Sequence, residues 1–205
     1  QHGKPAKRFA KNQASGLILK RHPQVNQALG DALSSQPPSN SRKIRIYLNF
    51  STTNMVWKPH VTVAAVIEQD QRFLVVEEQT PNGLAFNQPA GHLENNESLI
   101  DAVKREVLEE TAWQFEPQAL VAVQLWRKNP EFPSFMRFVF TGSVSSHNPL
   151  QTLDDGIVAT HWLSRDDLAA NPQRLRSPLV LKSIDEYLKG QRYPLSLLQS
   201  FLDLA

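Results

Sequence analysis

The chain is 205 residues long, 40% apolar and 20% charged, with 8 Gly, no Cys and a formal net charge of +2. That is enough for one domain of average size with a tail, or two small ones, and enough apolar sequence to bury a core. The missing cysteines exclude disulfide frameworks, thiolate zinc sites and cysteine nucleophiles. No apolar run nears the length of a membrane span and no charged-then-apolar leader opens the chain, so a soluble, cytoplasmic protein without a membrane partner is expected.

The small net charge conceals an asymmetry. Residues 1–54 carry nine Lys/Arg against one acid, Asp31, for +8, whereas the remaining 13 basic and 19 acidic residues sum to −6. We divide the chain there, into a basic, mostly irregular extension (1–54) and an acidic domain (55–205). Within the extension, Val25, Ala28, Leu29, Ala32 and Leu33 share a helical face. Ser34 to Ser41 reads as a linker, and Ile44, Ile46, Leu48 and Phe50 alternate as in a strand. Three readings stay open: a loosely structured appendage, a basic arm for nucleic acid, or a transit-type presequence. The chain opens with Gln, and Met55 falls where composition changes, which marks it as the expected natural start.

The pattern sharpens from His60 onward. Strands are expected near 60–67 and 72–78, joined by a turn at Glu68-Gln69-Asp70-Gln71, with further strands near 119–126, 136–144 and 159–163. Asn87 to Glu94 reads as a loop containing Pro and Gly. Ser98 is a plausible N-cap with Asp101 three residues on, a capping box in which Asp replaces the usual Glu or Gln. A helix over 99–111 follows, burying Ile100, Val103 and Val107, and a closing helix is expected near 178–189.

Glu106, Glu109 and Glu110 share one face of the first helix. With Glu106 at zero, the other two fall near about −60° and +40° at 100° per residue, flanking the apolar stripe. Three like charges within a turn and a half repel, by a few tenths of a kcal/mol per pair in water. A divalent cation with oxygen ligands reverses that sign, and hard Mg²⁺ with part of its water shell is the natural occupant. A solvated acidic face is the alternative for the three acids alone.

The wider spacing decides between them. Gly91, five residues, Glu97, seven residues, Arg105-Glu106, Val107, one residue, Glu109-Glu110, one residue, Ala112, Trp113 resembles the Nudix box, Gly-x5-Glu-x7-Arg-Glu-U-x-Glu-Glu-x-Gly-U. Only Ala112 departs, standing where the family has Gly at the helix exit. Ala tolerates positive φ less well, at a cost of about 1 kcal/mol. Trp57 to Ala64, Asn87 to Glu94, Leu175 to Val180 and Gly190 to Leu195 further resemble the bacterial phosphatase NudJ subfamily of Nudix, over roughly residues 55–200.

That resemblance implies an α/β/α sandwich with a mixed sheet. It implies Glu106 and Glu110 as Mg²⁺ ligands (with Mn²⁺ a substitute), Glu109 as a ligand or the group that orients the attacking water, and the Ala90 carbonyl completing the shell. Arg105 and Glu97 would brace one another and the loop, beside Gly91. The implied activity is release of inorganic phosphate from nucleoside tri- and diphosphates and thiamine-type pyrophosphates, with metal ions neutralising the anhydride oxygens. A Nudix enzyme for another nucleoside diphosphate derivative, or an RNA-associated protein using the basic arm, are the alternatives. An isoprenoid isomerase is disfavoured by the absence of Cys. Trp57, Phe86, Trp126 and Phe135 read as a stacking wall or as core, and Arg127, Lys128 and Arg137 as phosphate contacts or solvated charges. His60 and His92 flank the motif. Asp154-Asp155-Gly156 reads as a turn that also offers a distal acid. A small di- or triphosphate is the expected partner, nucleic acid is not, and monomer versus homodimer stays open.

Overall fold

The computed structural model describes residues 56–202; the helix, linker and strand expected within 1–54, and Met55, lie outside them. The first described strand, β1 (His60–Val66), is apolar and β-branched. It is buried on both faces, Val63 and Ala65 entering one core cluster and Val66 the other. The next hairpin joins β2 (Glu68–Gln69) to β3 (Arg72–Thr80). Asp70 and Gln71 turn it with φ of 51° and 60°, the pair of left-handed residues that matches strand twist in a two-residue turn. Then come β4 (Gly83–Asn87) and the short β5 (Ala90–His92).

Helix α1 (Leu99–Thr111) starts at Ser98, whose side chain accepts the Asp101 N–H at 3.1 Å. The Asp101 carboxylate accepts a hydrogen bond from the Ser98 hydroxyl, at 2.6 Å, so the two side chains bond each other instead of closing the reciprocal box through the Ser98 backbone. The helix ends on Ala112 at φ 58°, ψ 16°. Ala in place of Gly therefore keeps the left-handed exit and carries its steric cost, about 1 kcal/mol.

The chain closes with β6 (Gln114–Trp126), β7 (Phe135–Ser145), β8 (Ile157–Ser164), the short α2 (Arg165–Ala169) and α3 (Leu179–Leu188). One sheet is mixed, in the order β5-β1-β7-β6, with β1 and β7 parallel and the other pairs antiparallel. A second, antiparallel sheet is centred on β3, which pairs with β2, β4 and β8. On one side α1 packs Ala102, Val103 and Val107 against Val63, Ala65 and Phe140; on the other, α3 packs Val180 and Ile184 with Val66 and Val139. Fully burying each such Val or Ile contributes roughly 1.5–3 kcal/mol. The result is a helix–sheet–helix layering.

The structure adds β4 and the short α2, which the sequence expectation lacked, extends the expected turn with the two-residue β2, and differs from it in three further respects. The loop read at 87–94 contains β5, because pairing of Val63 with Gly91 and Ala64 with Ala90 turns a Pro-Ala-Gly segment into an edge strand. Strand β6 starts five residues early, with Pro117 taken up at a register shift where its missing N–H breaks no ladder. The β-strands also divide into two sheets, a separation that periodicity alone does not encode.

Candidate active site

The site forms where the outer edge of β5 meets α1. Pro89 accepts the Ala65 N–H and Leu93 donates to Val61, so strand alternation turns the backbone groups of Ala90 and His92 away from β1. They meet the helix acids. The Ala90 N–H donates to Glu110 Oε2 at 2.8 Å, and the His92 carbonyl accepts from Arg105 Nη2 at 3.0 Å. The Ala90 carbonyl lies on that same edge.

Arg105 is the hub. It grips Glu97 bidentately, at 2.8 and 3.0 Å, and its Nη1 donates to Glu106 at 2.8 Å and Glu109 at 3.0 Å. A planar guanidinium has the rigid fork this needs and Lys does not. The bond from Arg105 holds the Glu97 carboxyl below its usual value, and the same contacts push Arg105 further up. Glu97 in turn accepts the Glu94 N–H at 3.2 Å, which ties down the loop.

The acids do not merely flank the core. Glu106 is 6% exposed, in space that Gly91 leaves: a Cβ there would overlap the Glu106 carboxylate. Burial raises the Glu106 carboxyl against the pull of Arg105, with Glu109 and Asp154 adding to the rise. Glu110 is pushed up to about 8, mainly by burial, resisted by the Ala90 N–H and reinforced by Glu106, Glu78 and Asp154. Glu109 is the more open, with a side chain 38% exposed.

A second polar group lies on the β3 side of Glu110. Arg137 on β7 is 7% exposed, donates from Nη2 to Gln88 at 3.0 Å, and is pulled down to about 10 by burial, with Glu110 and Glu78 opposing. Gln88 is anchored in turn on the Val180 carbonyl at 2.8 Å. Glu78 Oε1, Asn87 Oδ1 and Arg137 Nε are buried without a hydrogen-bond partner, although Arg176 Nε stands 3.2 Å from Glu78 Oε1.

Sequence reading passed over Glu78, Asn87, Gln88 and Arg176. Glu78 had a weak signal at most, since it and Glu77 directly follow the four-residue apolar run Phe73-Leu74-Val75-Val76, which is buried on both faces of β3.

The other sequence candidates separate. Trp57 is 60% exposed, just before β1. Phe86 is not available to a ligand: it is 6% exposed in the core, with Arg174 stacked on its face at 4.1 Å and the His161 ring edge-on at 5.6 Å. Arg174 and His161 are both held there by bonds to Glu77. Phe135 and Trp126 join His60 and His92 in a row of rings across four strands. Its steps are 5.6 Å from His92 to His60, 5.4 Å to Phe135 and 6.2 Å to Trp126. Arg137 shares that face, two residues beyond Phe135. Lys128 covers the exposed Phe132 ring at 5.2 Å, and Arg127 is exposed. Asp154 donates its N–H to the Glu109 carbonyl at 3.1 Å, which places its turn against α1. A groove of about 750 Å³ runs along β6 beside α3, but no acid of α1 lines it.

The donors suit a hard divalent cation. They are all oxygens, and the ionised forms of Glu106 and Glu110 are penalised by burial and mutual repulsion until a positive charge offsets them. Among the described residues no three His, Asp or Glu side chains converge at cation distance; Arg105 lies between Glu106 and Glu109, and Glu110 is turned to Ala90. No described helix is long and apolar enough to cross a membrane.

Comparison with known proteins agrees with this geometry. The NUDIX domain model matches residues 58–183. Phosphatase NudJ of Escherichia coli K12 is 44% identical over 147 residues, 71% of this chain and 94% of the relative. A NUDIX hydrolase from Nitrosomonas europaea superposes with a TM-score of 0.68 at 48% identity, over 70% of this chain and 98% of its own. The MutT protein from Methanosarcina mazei Go1, at 20% identity, 66% and 99% coverage and a TM-score of 0.54, shows the shared fold. The chain belongs to the Nudix family and is a phosphoanhydride hydrolase.

Proposed function

We propose that the protein is a Mg²⁺-dependent phosphatase that releases inorganic phosphate from nucleoside tri- and diphosphates and from thiamine-type pyrophosphates. The observation that carries the reading is the 44% identity to Phosphatase NudJ across 94% of that protein, with the box acids gathered on the β5 edge. Glu106, Glu110 and the Ala90 carbonyl would hold the cation, and Mn²⁺ would substitute. When bound, the cation offsets charge on the anhydride oxygens and lowers the pKa of an attached water.

The chain's own residues do the rest. Glu109, open to solvent, orients the attacking water and takes its proton as the water oxygen bonds phosphorus and the anhydride P–O bond breaks. A nucleoside diphosphate or thiamine pyrophosphate would yield the monophosphate and inorganic phosphate, and a triphosphate the diphosphate and inorganic phosphate. Arg105, fixed by Glu97 and the His92 carbonyl, sets the directions of Glu106 and Glu109. Asp154 lends a further carboxylate to the centre, and its charge bears on Glu106 and Glu110. The ring row from His92 to Trp126 offers a stacking wall for the heterocycle, the exposed Trp57 ahead of β1 is a further candidate, and Arg137 on the face of the row offers positive charge.

The test is phosphate release from nucleoside diphosphates, nucleoside triphosphates and thiamine pyrophosphate, with and without Mg²⁺. Metal-dependent release from these supports the reading. Silence on all of them, alongside cleavage of a sugar-linked or dinucleotide diphosphate, would assign another Nudix substrate class.

A further inference from the structure

We propose that residues 146–156, between β7 and β8, are a strap across the C-terminal end of α1, and that His147 and Gln151 are positioning residues holding Asp154 and the last helical turn at the carboxylate centre. The proposal rests on the reading of Asp154 given above and adds two residues distant from the motif.

A helix end leaves its last carbonyls without partners. Here the strap donates to three carbonyls at this end, those of Leu108, Glu109 and Ala112, of which Leu108 also keeps its helical bond. The Leu108 carbonyl accepts the Ala112 N–H at 2.9 Å and Gln151 Nε2 at 2.7 Å. The Glu109 carbonyl accepts the Asp154 N–H at 3.1 Å, and the Ala112 carbonyl accepts the Asn148 N–H at 2.9 Å. Beyond the helix, the Trp113 ring stacks on His147 with centroids 4.6 Å apart and planes 26° from parallel.

The strap is also tied internally and at its far end. The Gln151 N–H bonds the Asn148 carbonyl at 3.1 Å, and the Gln79 N–H on β3 bonds the Gly156 carbonyl at 2.8 Å.

Capping alone does not account for the arrangement. A helix C-terminus carries partial negative charge and favours a basic side chain, yet the last turn of α1 has none and the strap delivers an acid. Asp154 arrives with its N–H on the Glu109 carbonyl, which adds an acid to the turn that carries Glu109 and Glu110. An electrostatically adverse placement held by this many contacts fits a group used with a cation.

The experiment measures Mn²⁺ affinity of the metal-free full-length protein by electron paramagnetic resonance, alongside turnover of a nucleoside diphosphate. Gln151→Met and His147→Ala should each weaken Mn²⁺ binding about tenfold, in the range seen when a group that orients a metal ligand is lost. His147→Tyr, which keeps a stacking ring, should restore it. Asp154→Asn should match the loss, and adding Gln151→Met to it should cost nothing more, because both remove one interaction. Should His147→Ala melt early, Gln151→Met, which removes a donor at constant size, carries the test. Losses that multiply, or silent Gln151→Met and His147→Ala beside a damaging Asp154→Asn, would overturn the strap while leaving the carboxylate centre intact. A silent Asp154→Asn would overturn the strap and the reading of Asp154 together.

Discussion

Replacing Glu110 by Gln should stabilise the metal-free protein while abolishing its chemistry. The Glu110 carboxyl is lifted from 4.5 to about 8, chiefly by burial. A raised carboxyl binds its proton more tightly in the folded chain than in the unfolded one. Its contribution is therefore fully present below pH 4.5 and is lost progressively as pH rises to about 8. At pH 7 the distance from the ordinary value is about 2.5 pH units, each worth about 1.4 kcal/mol, so the burden is on the order of 3 kcal/mol. Gln removes that dependence and its side-chain oxygen still accepts the Ala90 N–H. The variant should melt roughly 5–10 °C higher at pH 7 without metal, with the gain shrinking toward pH 4.5. Added Mg²⁺ should raise the midpoint of the wild type and leave that of the variant little changed. Thermal melts of both proteins across pH 4.5–8, with and without Mg²⁺, make the comparison. A variant no more stable than wild type at pH 7, or a wild type that gains stability as pH rises through this window, would refute the burial argument.

Gly91→Ala should cost about 1–3 kcal/mol and most of the activity, because the new Cβ overlaps the Glu106 carboxylate, which Arg105 prevents from swinging away; melts and turnover check both. A shortened chain of residues 55–205 should keep turnover within about twofold, since the family match begins at residue 58 and the box acids lie beyond it. Loss of activity on trimming would refute the division at Met55, and salt-sensitive RNA binding found only in the longer chain would favour the basic-arm alternative.

Much of the site was legible because it is local. Ser98 and the apolar stripe give α1 the bounds Leu99–Thr111, and one helical turn fixes where Glu106, Glu109 and Glu110 stand relative to each other. What the sequence conceals depends on partners far along the chain. Burial of Glu106 needs the bare backbone of Gly91 opposite it, and Gly91 has its place only through β5 pairing with β1. Periodicity reads Pro89-Ala90-Gly91 as loop because nothing local signals that edge strand. Phe86 has an aromatic's ordinary ambiguity between ligand wall and core, and only the positions of Arg174 and His161 resolve it toward core. The meeting of Glu78 and Arg137 around Glu110 joins β3, β7 and α1, three elements that no window of sequence contains.

The central claim is that the carboxylates on α1, and not the fold in general, carry the hydrolysis. Turnover of Glu106→Gln on a nucleoside diphosphate with Mg²⁺ tests it most directly, because the change removes one anionic oxygen at nearly constant volume while its neighbours Gly91 and Arg105 remain. The account predicts a fall of at least about 100-fold, equivalent to about 2.7 kcal/mol of transition-state stabilisation, in a protein that melts no lower than wild type. Near-wild-type turnover in that folded variant would contradict it.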